Sequence, residues 1–163
     1  DHPRLGVLGV MSFDAHADYR DRIRSNWMAP ASAASGILSR FVLRGVGASA
    51  AVREEARASG DLVFVRAAAA LKRTIGPLAT FVRWLECAVS AWPAAQLIGK
   101  ADDDVLLHTV QLKRDLLRLA ERAVTARNGV AARLYVGLFM WAPSWNVSDG
   151  IGWPCGRIRQ FDR

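Results

Sequence analysis

Three consecutive carboxylates, Asp102, Asp103 and Asp104, stand between two apolar runs, Leu97–Ile98 and Val105–Leu107. Adjacent like charges repel one another, so a compact protein rarely keeps them between hydrophobic segments unless a cation is bound there. Along an extended backbone, Asp102 and Asp104 point to one side and Asp103 points to the other. Two converging carboxylates offer the hard oxygen ligands that suit Mg²⁺ or Mn²⁺ rather than zinc. The triplet is therefore a candidate metal site.

The triplet also fits a second interpretation, in which it is an acidic turn that caps the helix predicted from His108. Negative charge at a helix N-terminus is stabilised by the helix dipole, so such a turn needs no ligand. The apolar runs on both sides favour the metal site, because a solvated turn does not require them. His108 is either a late metal ligand or a surface histidine at the start of the helix.

A second group of candidate residues is cationic. Arg20, Arg24 and Trp27 recur at the i, i+4 and i+7 spacing that places side chains on one face of a helix. In one interpretation Ile23 and Trp27 pack in the core while both arginines are solvated. In the other, Arg20 and Arg24 face a phosphate-bearing ligand, as guanidinium groups commonly do.

The elements that position these residues alternate between strand and helix patterns. We predict strands at residues 5–11, 37–44, 61–65, 96–100 and 133–141. We predict helices at 15–27, after the capping types Ser12 and Asp14, at 48–58 with a C′ glycine at Gly60, at 67–92 with a break at Gly76-Pro77, and at 108–127. This order predicts an α/β layer with a largely parallel sheet, whose ligands bind beyond the carboxyl ends of the strands. The triplet follows the fourth strand and lies at such an end.

Composition narrows the class of protein. The 163 residues are 52% hydrophobic and 23% charged, which indicates a single globular domain over residues 1–163. The net charge of +7 is spread over nearly every segment, which indicates a generally basic surface. A nucleic-acid-binding domain is a further hypothesis that only this charge supports, and we expect no nucleic-acid partner. Cys87 and Cys155 form no metal motif, and either one disulfide or two free thiols fits them. The glycosylation sequon Asn146-Val147-Ser148 favours a secretory-pathway protein. Because the chain begins at Asp1 and has no signal peptide or transmembrane helix, we expect it to be part of a longer protein.

Three segments share a pattern with a known family. Arg20-Asp-Arg-Ile-Arg-Ser-Asn-Trp27 matches R-x-x-I-R-x-T-W, with asparagine in place of threonine. Phe41-Val-Leu, Glu55 and Gly60-Asp-Leu-Val63 match F-L-L-G, E and G-D-I-I, and Lys100-Ala-Asp-Asp-Asp-Val105 matches K-x-D-D-D-V. In this order and spacing, over residues 5–137, the chain resembles the family 31 glycosyltransferases, the β-1,3-galactosyltransferase and N-acetylglucosaminyltransferase group.

This resemblance implies a fold and a reaction. The fold would be a GT-A-type, Rossmann-like sheet with flanking helices, incomplete on its C-terminal side. The reaction would be an inverting, metal-dependent transfer of a hexose, of Gal or GlcNAc type, from a UDP-sugar to a glycan or glycoprotein acceptor. The cofactor would be Mn²⁺ or Mg²⁺. The setting would be the Golgi lumen, in a type II membrane protein whose anchor lies outside this chain.

The resemblance also implies roles for individual residues. Asp104 would be the main metal ligand, and Asp102 would lie at the metal or the nucleotide ribose. Asp103 would have a structural role within the donor site. Arg20 and Arg24 would contact the donor phosphates or form the wall of the pocket. A carboxylate base would deprotonate the acceptor hydroxyl, and it is expected beyond residue 163. We therefore expect this chain to be inactive alone.

One segment departs from the family pattern. Where the family reads D-F-x-D-x-Y-x-N-L-T-x-K, this chain has Arg66-Ala-Ala-Ala-Ala-Leu-Lys72, with neither the aspartates nor the tyrosine. Lys72 is the residue that would replace the family's lysine. The departure favours an alternative function, a catalytically inactive UDP-sugar-binding module of the same fold. Further on, Leu134–Gly137 resembles the family's Y-L-x-G strand, and Trp141 and Trp145 belong either to a loop near the active site or to the core.

Overall fold

The computed structural model describes residues 5–28, 36–67 and 75–126 of the chain. Strands and helices alternate along it, as the sequence predicts. The strands are β1 (Gly6–Met11), β2 (Ile37–Arg44), β3 (Leu62–Val65) and β4 (Leu97–Asp102). The helices are α1 (Ala17–Ile23), which continues into a π-helical turn (Arg24–Met28), α2 (Ala50–Ser59), α3 (Ile75–Ala91) and α4 (Thr109–Ala126). The predicted strand at 133–141, the sequon, Trp141 and Trp145 lie outside the described residues, as does Lys72.

The four strands form one parallel sheet in the order β3-β2-β1-β4. The central strand β1 pairs with β2 from Gly6 opposite Ile37 and with β4 from Gly6 opposite Leu97. The chain therefore moves outward from β1 to β3 and then returns to add β4 on the other side of β1. This reversal makes the β1–β4 edge a topological switch point, where parallel sheets of this class bind their ligands. The predicted α/β, Rossmann-like fold is confirmed.

The core has one layer on each face of the sheet. Side chains along a strand alternate between the faces, so Val10 and Phe41 meet Trp27 on the face covered by α1 and α2. Val7 and Val42 pack on the opposite face. The residues that meet them there come from α3 and include Trp84 and Ala88. The prediction that Ile23 and Trp27 belong to the core is confirmed, since each is only 5% exposed.

The α3 layer depends on a close approach between a large ring and a glycine. Trp84 is completely buried, and its indole nitrogen donates a hydrogen bond of 3.0 Å to the carbonyl of Gly99. A Cβ atom at Gly9 would lie 2.4 Å from Cε2 of Trp84, well inside van der Waals contact. Glycine at position 9 of the central strand therefore lets the indole lie against the backbone of the sheet.

Helix boundaries agree with the sequence in part. Helix α2 ends at Gly60 in the left-handed conformation, with φ of 65°, so the predicted C′ glycine is confirmed. The predicted break at Gly76-Pro77 is wrong, because α3 runs through both residues. Pro77 lies in the first turn of the described helix, where a missing N–H costs little. Ala67 lies outside any helix, contrary to the predicted start there.

Neither Ser12 nor Asp14 caps α1, contrary to prediction. The helix begins after His16, and no side chain provides a capping hydrogen bond. The Asp14 carboxylate instead accepts hydrogen bonds of 2.7 Å from the backbone N–H and the hydroxyl of Ser49. Ser49 in turn caps α2 by accepting from the N–H of Val52. Asp14 thus fixes the loop after β1 to the start of α2.

None of the helices within the described ranges is long and apolar enough to span a membrane. Cys87 on α3 is half-buried and has a free thiol, whereas Cys155 lies outside those ranges.

Candidate functional site

A cavity of about 420 Å³ opens at the carboxyl ends of the strands. Its walls come from the residues that follow β1, from Arg44 at the end of β2, from Lys100 to Asp104 around the end of β4, and from the first turns of α3. Parallel strands bring their carboxyl ends to one edge of the sheet, so these distant segments meet. The carboxylate triplet lies in this cavity, at the switch point.

The three aspartates have different surroundings. Asp102 is exposed, and both of its carboxylate oxygens contact Nζ of Lys100, at 2.9 and 3.2 Å. Asp104 is exposed and receives no hydrogen bond or ion pair from the described part of the chain. Asp103 is 7% exposed. Strand β4 ends at Asp102, and Asp103 and Asp104 form a turn, so the extended backbone expected through the triplet is wrong, although the middle aspartate is buried between two exposed neighbours.

The buried Asp103 joins the end of β4 to the loop after β1. Its Oδ2 accepts a hydrogen bond of 2.7 Å from the hydroxyl of Ser12. Nδ1 of His16 lies 2.9 Å from the same oxygen. The His16 ring is itself stacked on Tyr19, with ring centroids 4.9 Å apart. Asp103 therefore has protein partners of its own and holds the turn that presents its two neighbours.

Arg20 lies directly behind this arrangement and is completely buried. Its guanidinium forms a bidentate pair with Glu55, in which Nε lies 2.8 Å from Oε1. Nη1 donates to the hydroxyl of Ser12 at 3.1 Å and to the carbonyl of Phe13. Because the Ser12 hydroxyl donates its own hydrogen bond to Asp103, a chain of hydrogen bonds connects Glu55 to the triplet through Arg20 and Ser12.

Arg24 is also committed to carboxylates. Its guanidinium binds Asp61 through two hydrogen bonds, of 2.8 and 2.9 Å, and binds Glu55 at 2.7 Å and Asp21 at 2.8 Å. It also lies over the ring of Phe41, with its Cζ 5.0 Å from the centroid. The interpretation in which Arg20 and Arg24 are solvated is wrong, because they are 0% and 22% exposed.

Neither Arg20 nor Arg24 lines the cavity formed by the described residues. The guanidinium groups of both are held by protein carboxylates, where the resemblance implied donor phosphates. A direct contact between either arginine and a donor stays a prediction. What the structure shows is that Arg20 donates hydrogen bonds to Ser12 and Phe13, which line the cavity.

Arg20 and Arg24 lower the pKa values of the carboxylates that they bind. Hydrogen bonds from Arg20, assisted by Arg24, hold the pKa of Glu55 below its ordinary value although burial opposes the shift. Burial acts to raise the pKa of Asp61, but the hydrogen bonds from Arg24 and Ser59 outweigh it and the pKa is lowered. The same carboxylates raise the pKa of Arg24 further above its ordinary range. All these groups are therefore charged in the folded protein at neutral pH.

We expect Glu55→Gln to reduce the acid sensitivity of folding. Because the folded-state pKa of Glu55 is lower than its unfolded value, its stabilising contribution is present above about pH 4.5 and is lost as the pH falls through the folded value. The free energy of unfolding, measured by urea titration at a series of pH values, should decline less steeply with acid in Glu55→Gln than in the wild type.

The neighbouring Glu54 provides the control for that experiment. Its side chain is 72% exposed and, within the described ranges, pairs only with the exposed Arg57, a surface contact that contributes little to stability. Glu54→Gln should leave the acid limb of the stability curve as it is in the wild type. Parallel curves for Glu55→Gln and the wild type would contradict the assigned pairing.

The donor set of the triplet fits a hard divalent cation with an incomplete protein shell. Over the described ranges, no group of three or more His, Cys, Asp or Glu side chains is arranged to hold a metal. Mg²⁺ and related ions are, however, commonly held by one or two carboxylates, with water and substrate phosphates in the other positions. Asp102 and Asp104 supply such carboxylates at the cavity. The exposed Lys100 pair is weak enough to give way to a cation.

His108 belongs to the following helix. Its Nδ1 accepts a hydrogen bond of 3.1 Å from the backbone N–H of Gln111, so it caps the start of α4 and is exposed. The interpretation as a surface histidine at a helix start fits this geometry. The alternative in which the triplet caps this helix is not supported, because α4 begins at Thr109 with His108 in the capping position.

Ser12, His16 and Arg44 are among the polar residues of the cavity that the sequence analysis missed as site residues. Ser12 directly follows β1 and Arg44 is the last residue of β2, so their position at the carboxyl end of a predicted strand was the available signal. His16 carries no comparable signal, because its contact with Asp103 joins residues 87 positions apart.

A second depression, of about 630 Å³, lies away from the triplet, between β3 and α3. Its charged residues are Arg66, Arg83 and Glu86, of which Arg83 and Glu86 pair with each other at 2.7 Å. Its lining has one carboxylate, that of Glu86, and includes neither β1 nor β4, the strands on either side of the switch point. The smaller cavity at the triplet is therefore the candidate site.

Comparison of the sequence with protein families finds a match for most of the chain. The profile of the galactosyltransferase family matches residues 18–137, a range that contains Arg20 and Arg24, the triplet and strands β2 to β4. No individual curated protein matches the chain. A match over this much of the sequence shows membership, and it contains the cavity-lining residues from Tyr19 to Asp104, whereas Met11, Ser12, Phe13 and His16 precede it. The chain belongs to the galactosyltransferase family.

Proposed function

We propose that this chain forms the donor-binding part of an inverting hexosyltransferase of the β-1,3 type. The donor would be a UDP-sugar of Gal or GlcNAc type, and the acceptor a glycan or glycoprotein. The observation that supports the proposal is the triplet cavity, in which one buried aspartate is anchored and its two neighbours are presented at a sheet switch point. Its volume of about 420 Å³ lies within the range of small-molecule sites.

In this proposal Asp104 and Asp102 hold Mn²⁺ or Mg²⁺. When bound, the ion supplies Lewis acidity and offsets the charge that develops on the departing diphosphate. Asp103 positions the turn through Ser12 and His16. The base that activates the acceptor hydroxyl is proposed to lie outside this chain. The resemblance to family 31 supports a Golgi-lumen setting, in a type II membrane protein.

Calorimetric titration tests the proposal. The full chain should bind UDP-galactose or UDP-N-acetylglucosamine in the presence of Mn²⁺, and EDTA should abolish or strongly weaken the binding. Asp104→Asn should weaken metal-dependent binding by about tenfold or more, since even outer-shell partners of metal ligands carry effects of that size.

Asp115→Asn is the matched control, because Asp115 is an exposed aspartate of α4 that contacts only Gln111 among the described residues. It should bind the nucleotide sugar as the wild type does. Equal affinity with Mn²⁺ and with EDTA would overturn the metal role. Equal losses in Asp104→Asn and Asp115→Asn would overturn the assignment of the site.

The second candidate function is a catalytically inactive UDP-sugar-binding module. The observation that favours it is the stretch from Arg66 to Lys72, which lacks the acidic and aromatic residues of the family pattern. Such a module would bind the UDP-sugar with Mn²⁺, but the longer protein would neither hydrolyse it nor transfer its sugar to any glycan in an acceptor array. Transfer by the longer protein would exclude the module.

A further inference from the structure

Arg44 is a cavity-lining cation without a carboxylate partner among the described residues. It is the last residue of β2 and is half-buried. Other arginines of the same region are paired: Arg20 with Glu55, and Arg24 with Glu55 and Asp61. A partly desolvated charge is costly unless another group compensates it. No side-chain nitrogen among the described residues is both buried and unpaired, so the Arg44 donors are open to the cavity for an anion that those residues do not supply.

The Arg44 side chain is held in place by apolar surfaces. A Cβ atom at Gly76 would lie 2.8 Å from its Nη1 and 3.0 Å from its Cζ and Nη2, so the guanidinium lies directly against the glycine backbone. The ring of Phe13 lies on another side, with its centroid 6.0 Å from Cζ. Gly76 and Phe13 both contact the guanidinium, and neither accepts a hydrogen bond from it. The donors of the fork remain available for a ligand.

The charges of the cavity leave two groups without partners among the residues described. Lys100 compensates Asp102, and Asp103 is bound by Ser12 and His16. Arg44 and Asp104 line the same cavity, and no ion pair joins them. A ligand that offers both a cation and an anion would satisfy both groups. A metal diphosphate has this composition.

We propose that Arg44 is a binding residue for the diphosphate of the nucleotide donor. This inference rests on the proposed function and extends it with a protein cation that acts together with the metal ion. The planar guanidinium presents parallel N–H donors that match phosphate oxygens, which a lysine ammonium cannot reproduce. The diphosphate would lie between Arg44, at the end of β2, and Asp104, after β4.

Titration of the full chain with inorganic pyrophosphate, with Mg²⁺ and separately with EDTA, tests this role. Arg44→Met keeps the apolar stem and removes the charge, so it should weaken pyrophosphate binding by about tenfold or more in both conditions, as expected for charge-assisted hydrogen bonds. Arg44→Lys should restore only part of the affinity. UDP should show the same order of affinities among the three proteins.

Arg83→Met is the control, because Arg83 is exposed and lies on α3 outside the triplet cavity. It should bind pyrophosphate as the wild type does. Thermal unfolding of each variant should match the wild type, which separates lost binding from lost folding. If Arg44→Met and the wild type bind pyrophosphate equally, or if neither binds it, the inference is overturned.

Two further outcomes separate this inference from the proposed function. Arg44-dependent binding of pyrophosphate without any binding of UDP-sugars would support the Arg44 site and contradict the proposed donor. If Arg44→Met weakens the binding of UDP-glucuronic acid but not of UDP or pyrophosphate, the anion is a sugar carboxylate, and the diphosphate assignment is overturned.

Discussion

Replacing Arg20 with leucine is expected to lower the free energy of unfolding by about 3–5 kcal/mol, the range for breaking a buried ion pair. Arg20 is fully buried, and its loss removes a bidentate partner from Glu55 and hydrogen-bond donors from Ser12 and the carbonyl of Phe13. Groups left unpaired in the interior carry most of the cost. Urea unfolding at neutral pH measures the change.

Arg22→Leu is the matched control on the same helix. Arg22 is 71% exposed and faces Asp18 at 3.6 Å, a surface pair of little energetic value. Its replacement should change the unfolding free energy by no more than about 0.5 kcal/mol. Arg20→Lys should also be strongly destabilised, because an ammonium cannot make the forked contacts. A similar, small loss for Arg20→Leu and Arg22→Leu would refute the structural role of Arg20.

Trp84→Ala is the second substitution expected to have a large effect, about 3–5 kcal/mol of lost stability. The indole is fully buried between α3 and the sheet, and its removal leaves a cavity and an unpaired carbonyl at Gly99. Val89→Ala on the same helix is the control, because Val89 is 60% exposed and loses little on truncation. Denaturant unfolding of the three proteins gives the comparison.

A double-mutant cycle tests the contact between the indole and Gly9. Gly9→Ala alone should be destabilising, because its Cβ would lie 2.4 Å from the ring. In the Trp84→Ala background that clash is absent, so the same substitution should cost much less. Strict additivity of the two changes would show that the indole does not lie on Gly9.

The local pattern of the chain was enough to predict most of its elements. The bounds of β2, Ile37–Arg44, agree with the predicted 37–44, because an apolar run there is closed by glycines. The prediction for α2 agrees within two residues at each end and includes the left-handed Gly60. The triplet was placed at the end of a strand by the same reasoning. These features depend on neighbours in sequence, and a periodic pattern carries that information.

The partners of the charged residues could not be predicted in this way. The i, i+4 spacing correctly placed Arg20 and Arg24 on one helical face, but Glu55 lies 35 residues from Arg20 and Asp61 lies 37 from Arg24. Whether a charged face meets solvent, ligand or protein depends on which elements pack over it. Arg44 could not be predicted as a site residue for a related reason, since its guanidinium lies against Gly76 of α3, a residue distant in sequence.

The hydrogen bond between Ser12 and Asp103 has a consequence for folding kinetics. It joins residues 91 positions apart, at the ends of the paired strands β1 and β4, and β4 is the last of the described strands in chain order. Contacts of such high sequence separation form at a large cost in chain entropy and slow the search for the native state. A partly folded chain with β1, β2 and β3 in place would therefore have a sheet but no triplet cavity, so under the proposed function nucleotide binding would report on completed folding.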